Sequence, residues 1–122
     1  MAAVLVLDQF PRNMFRGAAL EFATDSHALS VARSAIGDGV DQQVPIDQRM
    51  FLYMPFMHSE EAANQQRSVT LYSSLDISEL LKAAREHKKV IDKFGRFPHR
   101  NNVLGRISTP DEIAFLKTGV IA

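Results

Sequence analysis

The chain has 122 residues and a mass of 13.6 kDa, a size that suits one domain with one hydrophobic core. Hydrophobic residues make up 46% of the sequence and charged residues 23%, which argues against global disorder. The formal net charge is +0, which argues against a dedicated nucleic-acid binder. The absence of cysteine excludes disulfides, zinc–thiolate sites and thiol catalysis.

Charge is distributed unevenly along the chain. Residues 1–84 contain six basic and ten acidic side chains, whereas residues 85–106 contain seven basic and two acidic ones. This basic segment predicts either the solvated face of a helix or a patch that attracts anions.

The first apolar run, residues 1–7, has no basic residues ahead of it and meets Asp8 at once. It is too short for a signal peptide with a cleavage site and far too short to cross a bilayer. We therefore expect a soluble, cytoplasmic protein that does not bind membranes. The run is compatible with a strand or a helix, and the helix-rich remainder favours a helix over residues 2–10 that Pro11 ends.

Thr24 is a good N-cap for the next helix, and Gly37 is the expected stop. A polar loop follows as far as Val44. Another helix begins at Pro45 or Ile46, with methionine and phenylalanine on its apolar side.

Pro55 is expected to kink or end that helix, because it removes a backbone donor and clashes with the preceding turn. Ser59 is then the predicted cap of a helix reaching about Leu75. Apolar positions are sparse in this helix, so the sequence predicts a wide solvated face.

Asp76 or Ser78 is the predicted N-cap of the longest amphipathic helix, which stops at Gly95. Residues 101–105 form a turn. The segment Thr109-Pro110-Asp111-Glu112 is a capping box with proline at the first helical position, which starts a terminal helix.

No segment shows sustained period-two alternation, and no hairpin turn separates strand-like runs. We predict an all-α fold in a single helical domain, residues 1–122. The spacing favours about five to six helices in antiparallel pairs with short loops, as in a tetratricopeptide-repeat-like array.

Two related motifs supply the candidate site. Each places phenylalanine and proline just ahead of arginine and asparagine, at the end of a helix-like segment. The first contains Asp8, Arg12, Asn13 and, shortly after it, Arg16. The second contains Arg96, His99, Arg100 and Asn101.

If the two motifs meet at one end of the bundle, they form a basic cleft for an anionic small molecule or an acidic peptide. Arginine offers paired donors to carboxylate or phosphate, and asparagine orients polar ligands. In an alternative interpretation the chain is an enzyme, with His99 as general acid/base assisted by Asp8. A further alternative is a protein-interaction scaffold in which the motifs only brace helix–turn junctions.

Metal and cofactor chemistry are not indicated by any motif. His58 and Glu61 lie three residues apart, but the order is the reverse of the Glu-x-x-His motif of di-metal bundles, and there is no second copy. The chain has no phosphate-binding glycine loop and no nucleophile elbow. We expect neither a metal nor a cofactor.

Several blocks together resemble the bacterial domain-of-unknown-function 924 family, in order from about Val4 to Leu116. The blocks are Val4-Leu5-Val6-Leu7-Asp8-Gln9-Phe10-Pro11-Arg12-Asn13, Phe15-Arg16-Gly17, Phe22-Ala23-Thr24-Asp25, Tyr53-Met54-Pro55-Phe56-Met57-His58-Ser59-Glu60 and Gly95-Arg96-Phe97-Pro98-His99-Arg100-Asn101. The resemblance implies an all-helical, tetratricopeptide-repeat-like fold and no established activity.

The chain departs from the family pattern at its start. The resemblance implies a further N-terminal helical stretch in family members, with a motif that contains tryptophan and phenylalanine. This sequence has no tryptophan. The apolar segment Val4–Leu7 would then lack a cover, so we expect it to mediate formation of a homo-oligomer.

Overall fold

The structure is a computed structural model that describes residues 25–118. The expected helix over residues 2–10, the motif at residues 8–13 and the apolar segment Val4–Leu7 lie outside the described residues. The described part contains five α-helices and no strand, so the all-α prediction is confirmed. The helices are α1 (Asp25–Gly37), α2 (Ile46–Met57), α3 (Ala62–Ser73), α4 (Ser78–Phe94) and α5 (Pro110–Thr118).

The main core lies between the first four helices, each of which packs against the next along the chain. Tyr53 of α2 and Tyr72 of α3 meet edge to face at its centre, with ring centroids 5.9 Å apart. The other buried members are Leu29, Ala32, Leu52, Phe56, Met57, Leu75 and Ala84. A smaller cluster joins the end of α4 to the Gly95–Asn101 motif through Val90, Ile91 and Phe97, with Phe94 and Phe115 packed against it.

The loop between α1 and α2 contains a short 3-10 helix, Val40–Gln43, where the sequence predicted only a polar loop. Its Asp41 is buried, and the Tyr53 hydroxyl donates a hydrogen bond of 2.6 Å to the Asp41 carboxylate. This contact holds the loop on α2. Pro55 lies inside the last turn of α2, which ends two residues later at Met57.

Helix α3 begins at Ala62 with Glu61 as its N-cap, two residues later than the sequence predicted. The Ser59 hydroxyl accepts the Glu61 N–H at 3.2 Å, so this serine closes the turn ahead of the helix instead of capping it. The expected wide solvated face is found, since six of the twelve residues of α3 are exposed and lie on one side of the helix. The buried side, however, carries the polar residues Asn64, Gln65 and Ser68.

Gln65 explains how that polar face is buried. Its side-chain N–H₂ donates to the carbonyls of Met57 at 2.7 Å and Ser59 at 2.6 Å, which are left open where α2 ends. A buried polar side chain is tolerated where such partners exist. Apolar periodicity alone gives no indication of these buried polar positions in α3.

Helix α4 begins at Ser78 and its N-cap is Ile77, without a side-chain capping bond, so neither Asp76 nor Ser78 caps the helix as the sequence predicted. Asp76 adopts a left-handed backbone conformation with φ 56°. At the other end, Gly95 has φ 74° and its N–H bonds the Ile91 carbonyl at 2.8 Å, so the predicted glycine stop is found.

The capping box of α5 forms as the sequence predicted. The Glu112 N–H donates to the Thr109 hydroxyl at 3.2 Å, and the Glu112 carboxylate accepts the Thr109 N–H at 2.9 Å. Across the described residues, no helix is long and apolar enough to span a membrane.

Candidate functional site

Phe97 anchors the Gly95–Asn101 motif in the protein interior. The left-handed turn at Gly95 redirects the chain, and a short 3-10 helix, Pro98–Arg100, follows. The Phe97 ring is fully buried, with the His87 ring edge-on at 5.6 Å and the His99 ring at 5.7 Å. The Arg100 guanidinium lies 4.7 Å from its centroid, a cation–π contact. The motif is thus fixed by packing.

Arg96 points towards α5. Its guanidinium makes a bidentate ion pair with Glu112, with Nε–Oε2 at 2.9 Å and Nη2–Oε1 at 2.7 Å. It also donates to the Ile107 carbonyl at 2.7 Å. Paired donors in this geometry are the strongest kind of arginine contact, so Arg96 braces α5 against the end of α4.

The same contact sets the charge of Glu112, whose side chain is 2% exposed. Hydrogen bonding to Arg96 lowers the pKa of Glu112 to about 2, although burial acts in the opposite direction. The Thr109 N–H and the Asn101 side chain contribute further to the lowering. Glu112 is therefore ionised at neutral pH and holds the capping box and Arg96 together.

A second group of contacts, the Arg106 cluster, consists of Glu60, Phe97, Asn101 and Arg106. Arg106 donates to the two Glu60 carboxylate oxygens at 2.9 and 3.1 Å, to the Asn101 side-chain oxygen at 3.0 Å and to the Phe97 carbonyl at 3.2 Å. Glu60 also accepts the Phe97 N–H at 2.6 Å. The cluster ties the loop ahead of α3 to both sides of the motif.

Glu60 is charged in this setting. Burial alone would raise the pKa of Glu60, but the hydrogen bonds from Arg106 and from the Phe97 N–H outweigh burial and hold that pKa below its ordinary value. Asn101 is buried and completes its own bonding by donating to the Ser108 hydroxyl at 3.1 Å. These polar groups form a connected network.

His99 is half-buried, and its Nδ1 atom is buried with no hydrogen-bond partner among residues 25–118. Burial and, to a smaller extent, the positive charge of Arg100 lower the pKa of His99 to about 4. The ring is therefore neutral at neutral pH. Asp8, the predicted partner of His99, lies outside the described residues.

Arg100 is buried beside the chain that links α2 to α3. It donates from Nη2 to the His58 carbonyl at 2.8 Å. It also lines a cleft of about 380 Å³. The other lining residues of this α1–α3 cleft are Ser26, Leu29, Pro55, His58, Ser59, Glu60, Glu61 and Leu104.

Two helix N-termini border the α1–α3 cleft. Ser26 and Leu29 belong to the first turns of α1, and residues 59–61 lead directly into α3. Backbone N–H groups at the start of a helix lack intrahelical partners and carry a partial positive charge. The cleft therefore combines two such ends with the guanidinium of Arg100.

The structure separates the predicted site residues. Arg100 lines the α1–α3 cleft, whereas Arg96 lines a different cleft of about 420 Å³ between the end of α4 and the start of α5. Asn101 belongs to the Arg106 cluster, and His99 lines neither cleft. Arg12, Asn13 and Arg16 lie outside the described residues, so their placement in the site stays a prediction.

Sequence reasoning missed the partners of the motif. Glu60 and Arg106 are 46 residues apart, and nothing local in the sequence pairs them. The sequence predicts a capping-box role for Glu112, and no local pattern indicates that it also binds Arg96. Within residues 25–118, no group of three or more His, Asp or Glu side chains could hold a metal ion.

Fold and site together define a small all-α protein with a polar, arginine-braced helix junction. The chain belongs to the family described as bacterial protein of unknown function (DUF924), which matches residues 1–120. The family resemblance in the sequence is thereby confirmed.

One solved structure, that of a protein of unknown function from Agrobacterium tumefaciens, is similar to this chain throughout. The two are 48% identical with a TM-score of 0.93, over 97% of this chain and 66% of the other. This chain thus spans just under two thirds of that protein's length. A comparison with functionally curated proteins finds no match.

Proposed function

We propose that the protein is a binding module that holds an anionic small molecule or an acidic peptide end in the α1–α3 cleft. The observation that supports this most strongly is the convergence of two helix N-termini and Arg100 on one cleft. Helix N-termini bind anions through unpaired backbone N–H groups, and arginine matches carboxylate and phosphate in shape and charge.

The size and charge of the cleft favour a small ligand. A volume of about 380 Å³ is at the lower end of the usual range for small-molecule sites. Glu60 lines the cleft, but its charge is offset by Arg106. Glu61 is exposed on the same wall and has no such ion pair within the described part of the chain, so it opposes an anion at this position.

Arg12, Asn13 and Arg16 complete the site in this proposal. They precede Ser26, a lining residue of the cleft, by ten to fourteen positions. An extended chain covers about 3.5 Å per residue, so all three are within reach of the cleft. In this proposal they add charged and amide donors to the cleft.

The enzyme alternative receives less support from the geometry. His99 does not line the α1–α3 cleft, and its ring packs on Phe97. A neutral imidazole can accept a proton, but a reacting group must first come within hydrogen-bond distance of it. The scaffold alternative explains the Arg96 and Arg106 contacts without a ligand, but it gives the polar cleft no role.

Thermal unfolding with a panel of anions tests the proposal. Pyrophosphate, citrate and an acidic dipeptide are suitable probes, each added at millimolar concentration. A ligand at a hundred times its Kd stabilises the folded state by about 2.7 kcal/mol, a readily measured rise in Tm. We expect at least one probe to raise the Tm of the unmodified protein.

Three variants separate binding from bracing. R12A/R16A should abolish the rise in Tm, whereas E61Q should enlarge it by removing a repelling charge. R96A is the matched control, because it should lower the Tm without ligand but leave the increment unchanged. The proposal fails if no anion raises the Tm, or if R12A/R16A responds like the unmodified protein.

A further inference from the structure

The solvent face of α4 carries a row of four cations, Lys82, Arg85, Lys89 and Lys93, which we term the basic stripe. All four side chains are exposed. At 3.6 residues per turn they fall within about 80° of the helix circumference and extend over roughly 17 Å. The buried residues Ala84, His87, Val90 and Ile91 lie on the opposite side of the same helix.

The charges of the basic stripe are not neutralised within residues 25–118, where none of the four forms an ion pair. Asp92 lies at one edge of the stripe, but it pairs with Lys88 at 2.6 Å. By contrast, Arg96 and Arg106 of the same basic segment are paired with Glu112 and Glu60. The basic excess of residues 85–106 therefore emerges at the surface mainly as this stripe.

The spacing within the stripe fits a helix as its partner. Arg85, Lys89 and Lys93 repeat every four residues, which is about 6 Å along the helix axis. Carboxylates at positions i and i+4 of an opposing helix have the same separation. We propose that the basic stripe docks an acidic helix of a partner protein.

Other polyanions fit the stripe less well. Glu79 and Glu86 lie along its other edge and would repel the continuous charge of nucleic acid or of an anionic membrane. Within residues 25–118, the aromatic ring beside the stripe is that of Phe94, whose centroid lies 5.1 Å from Lys93 Nζ and which packs on Phe115. One such ring does not provide the row of stacking surfaces that single-stranded nucleic acid requires. A protein helix can place lysine or arginine opposite the two glutamates.

The contact is small and transient. Helix α4 is about 25 Å long and 10 Å wide, so docking buries far less than the roughly 1,200 Å² of a stable complex. Charged contacts of this size mainly affect association rate and specificity, and salt weakens them. This inference does not depend on the α1–α3 cleft.

Fluorescence anisotropy with a labelled synthetic peptide tests whether the basic stripe binds an acidic helix. The peptide is an alanine-rich helix with glutamates at the spacing of the stripe, and a control peptide of equal composition disperses the glutamates around the helix. The matched peptide should bind more tightly than the control, and physiological ionic strength should weaken its binding several-fold. Single-stranded RNA and anionic vesicles are measured in parallel.

Charge reversal locates the contact. K89E should weaken binding of the matched peptide about tenfold. K117E, at an exposed lysine of α5, changes the net charge equally and should leave binding unchanged. Thermal unfolding of both variants confirms that they fold. Equal loss in the two variants, equal binding of the two peptides, or binding of only RNA or vesicles would overturn the proposal.

Discussion

Replacing Arg106 by alanine would remove the centre of the Arg106 cluster. The variant loses all four hydrogen bonds from this guanidinium, to Glu60, Asn101 and Phe97. It leaves the Glu60 carboxylate with only the Phe97 N–H among the contacts described above. The loop ahead of α3 and the motif after α4 would then be joined only by the Phe97 N–H bond to Glu60 and by the Arg100 bond to the His58 carbonyl, among the contacts described above.

The expected loss in the free energy of unfolding follows from the burial of the Arg106–Glu60 ion pair. Removing one partner of a fully buried ion pair costs about 3–5 kcal/mol, because the remaining charge is stranded. Here the Arg106 and Glu60 side chains are 24% and 25% exposed, so water partly solvates the stranded carboxylate. We therefore expect a loss of about 2–3 kcal/mol for R106A, and about half of that for R106K, which keeps the charge.

Urea unfolding followed by far-UV circular dichroism measures this change. For a domain of this size the loss corresponds to a fall in Tm of roughly 6–15 °C. R85A is the matched control, because Arg85 is exposed and forms no ion pair within the described residues; it should change stability by less than about 0.5 kcal/mol. If R106A is as stable as R85A, the cluster does not brace the motif.

Further predictions concern Glu112, Tyr53 and Gly95. The pKa of Glu112 is about 2 in the folded state and near 4.3 in the unfolded state. The Glu112 carboxylate therefore stabilises the fold fully above about pH 5, and this contribution falls as the pH drops towards 2. The stability of E112Q should depend less on pH over that range. Y53F should lose about 1–3 kcal/mol, because it leaves the buried Asp41 carboxylate without its 2.6 Å donor. G95A should lose about 1–2 kcal/mol from backbone conformation alone, since φ is 74° and no neighbouring atom lies within 4 Å of an added Cβ.

Each of these predictions can fail separately. Urea unfolding at two pH values would contradict the role of Glu112 if E112Q and the unmodified protein lost stability in parallel. An unchanged urea midpoint for Y53F would mean that water replaces the tyrosine hydroxyl at Asp41. For Gly95 the control is G37A, where φ is not in the left-handed region and space is also open; equal effects of G95A and G37A would refute the backbone argument.

Local signals in the sequence predicted much of the fold. Gly95 ended α4, and Thr109 with Glu112 began α5, because these rules depend only on residues within one turn of each other. The start of α3 was misplaced for the opposite reason. Ser59 had a competing local bond to the Glu61 N–H, and the sequence gives no indication of which bond wins.

The candidate site was less predictable. The sequence singled out Arg96 and Arg100 as one cluster, but the structure turns them towards different clefts, because Glu112 pairs with Arg96. Such choices depend on residues brought together by tertiary packing, as Glu60 and Arg106 are. The buried polar face of α3 was missed similarly, since the carbonyls that satisfy Gln65 belong to the end of α2 and the chain that follows it.

Calorimetric titration of one anion into the unmodified protein and into E61Q would show whether the α1–α3 cleft binds an anion. Removing a unit negative charge about 6 Å from a bound anion should tighten binding roughly three- to tenfold at low ionic strength. We expect E61Q to bind the same anion more tightly than the unmodified protein does, and R12A/R16A not to bind it. Equal affinity of E61Q and the unmodified protein, or no binding to either, would mean that the α1–α3 cleft is not an anion site.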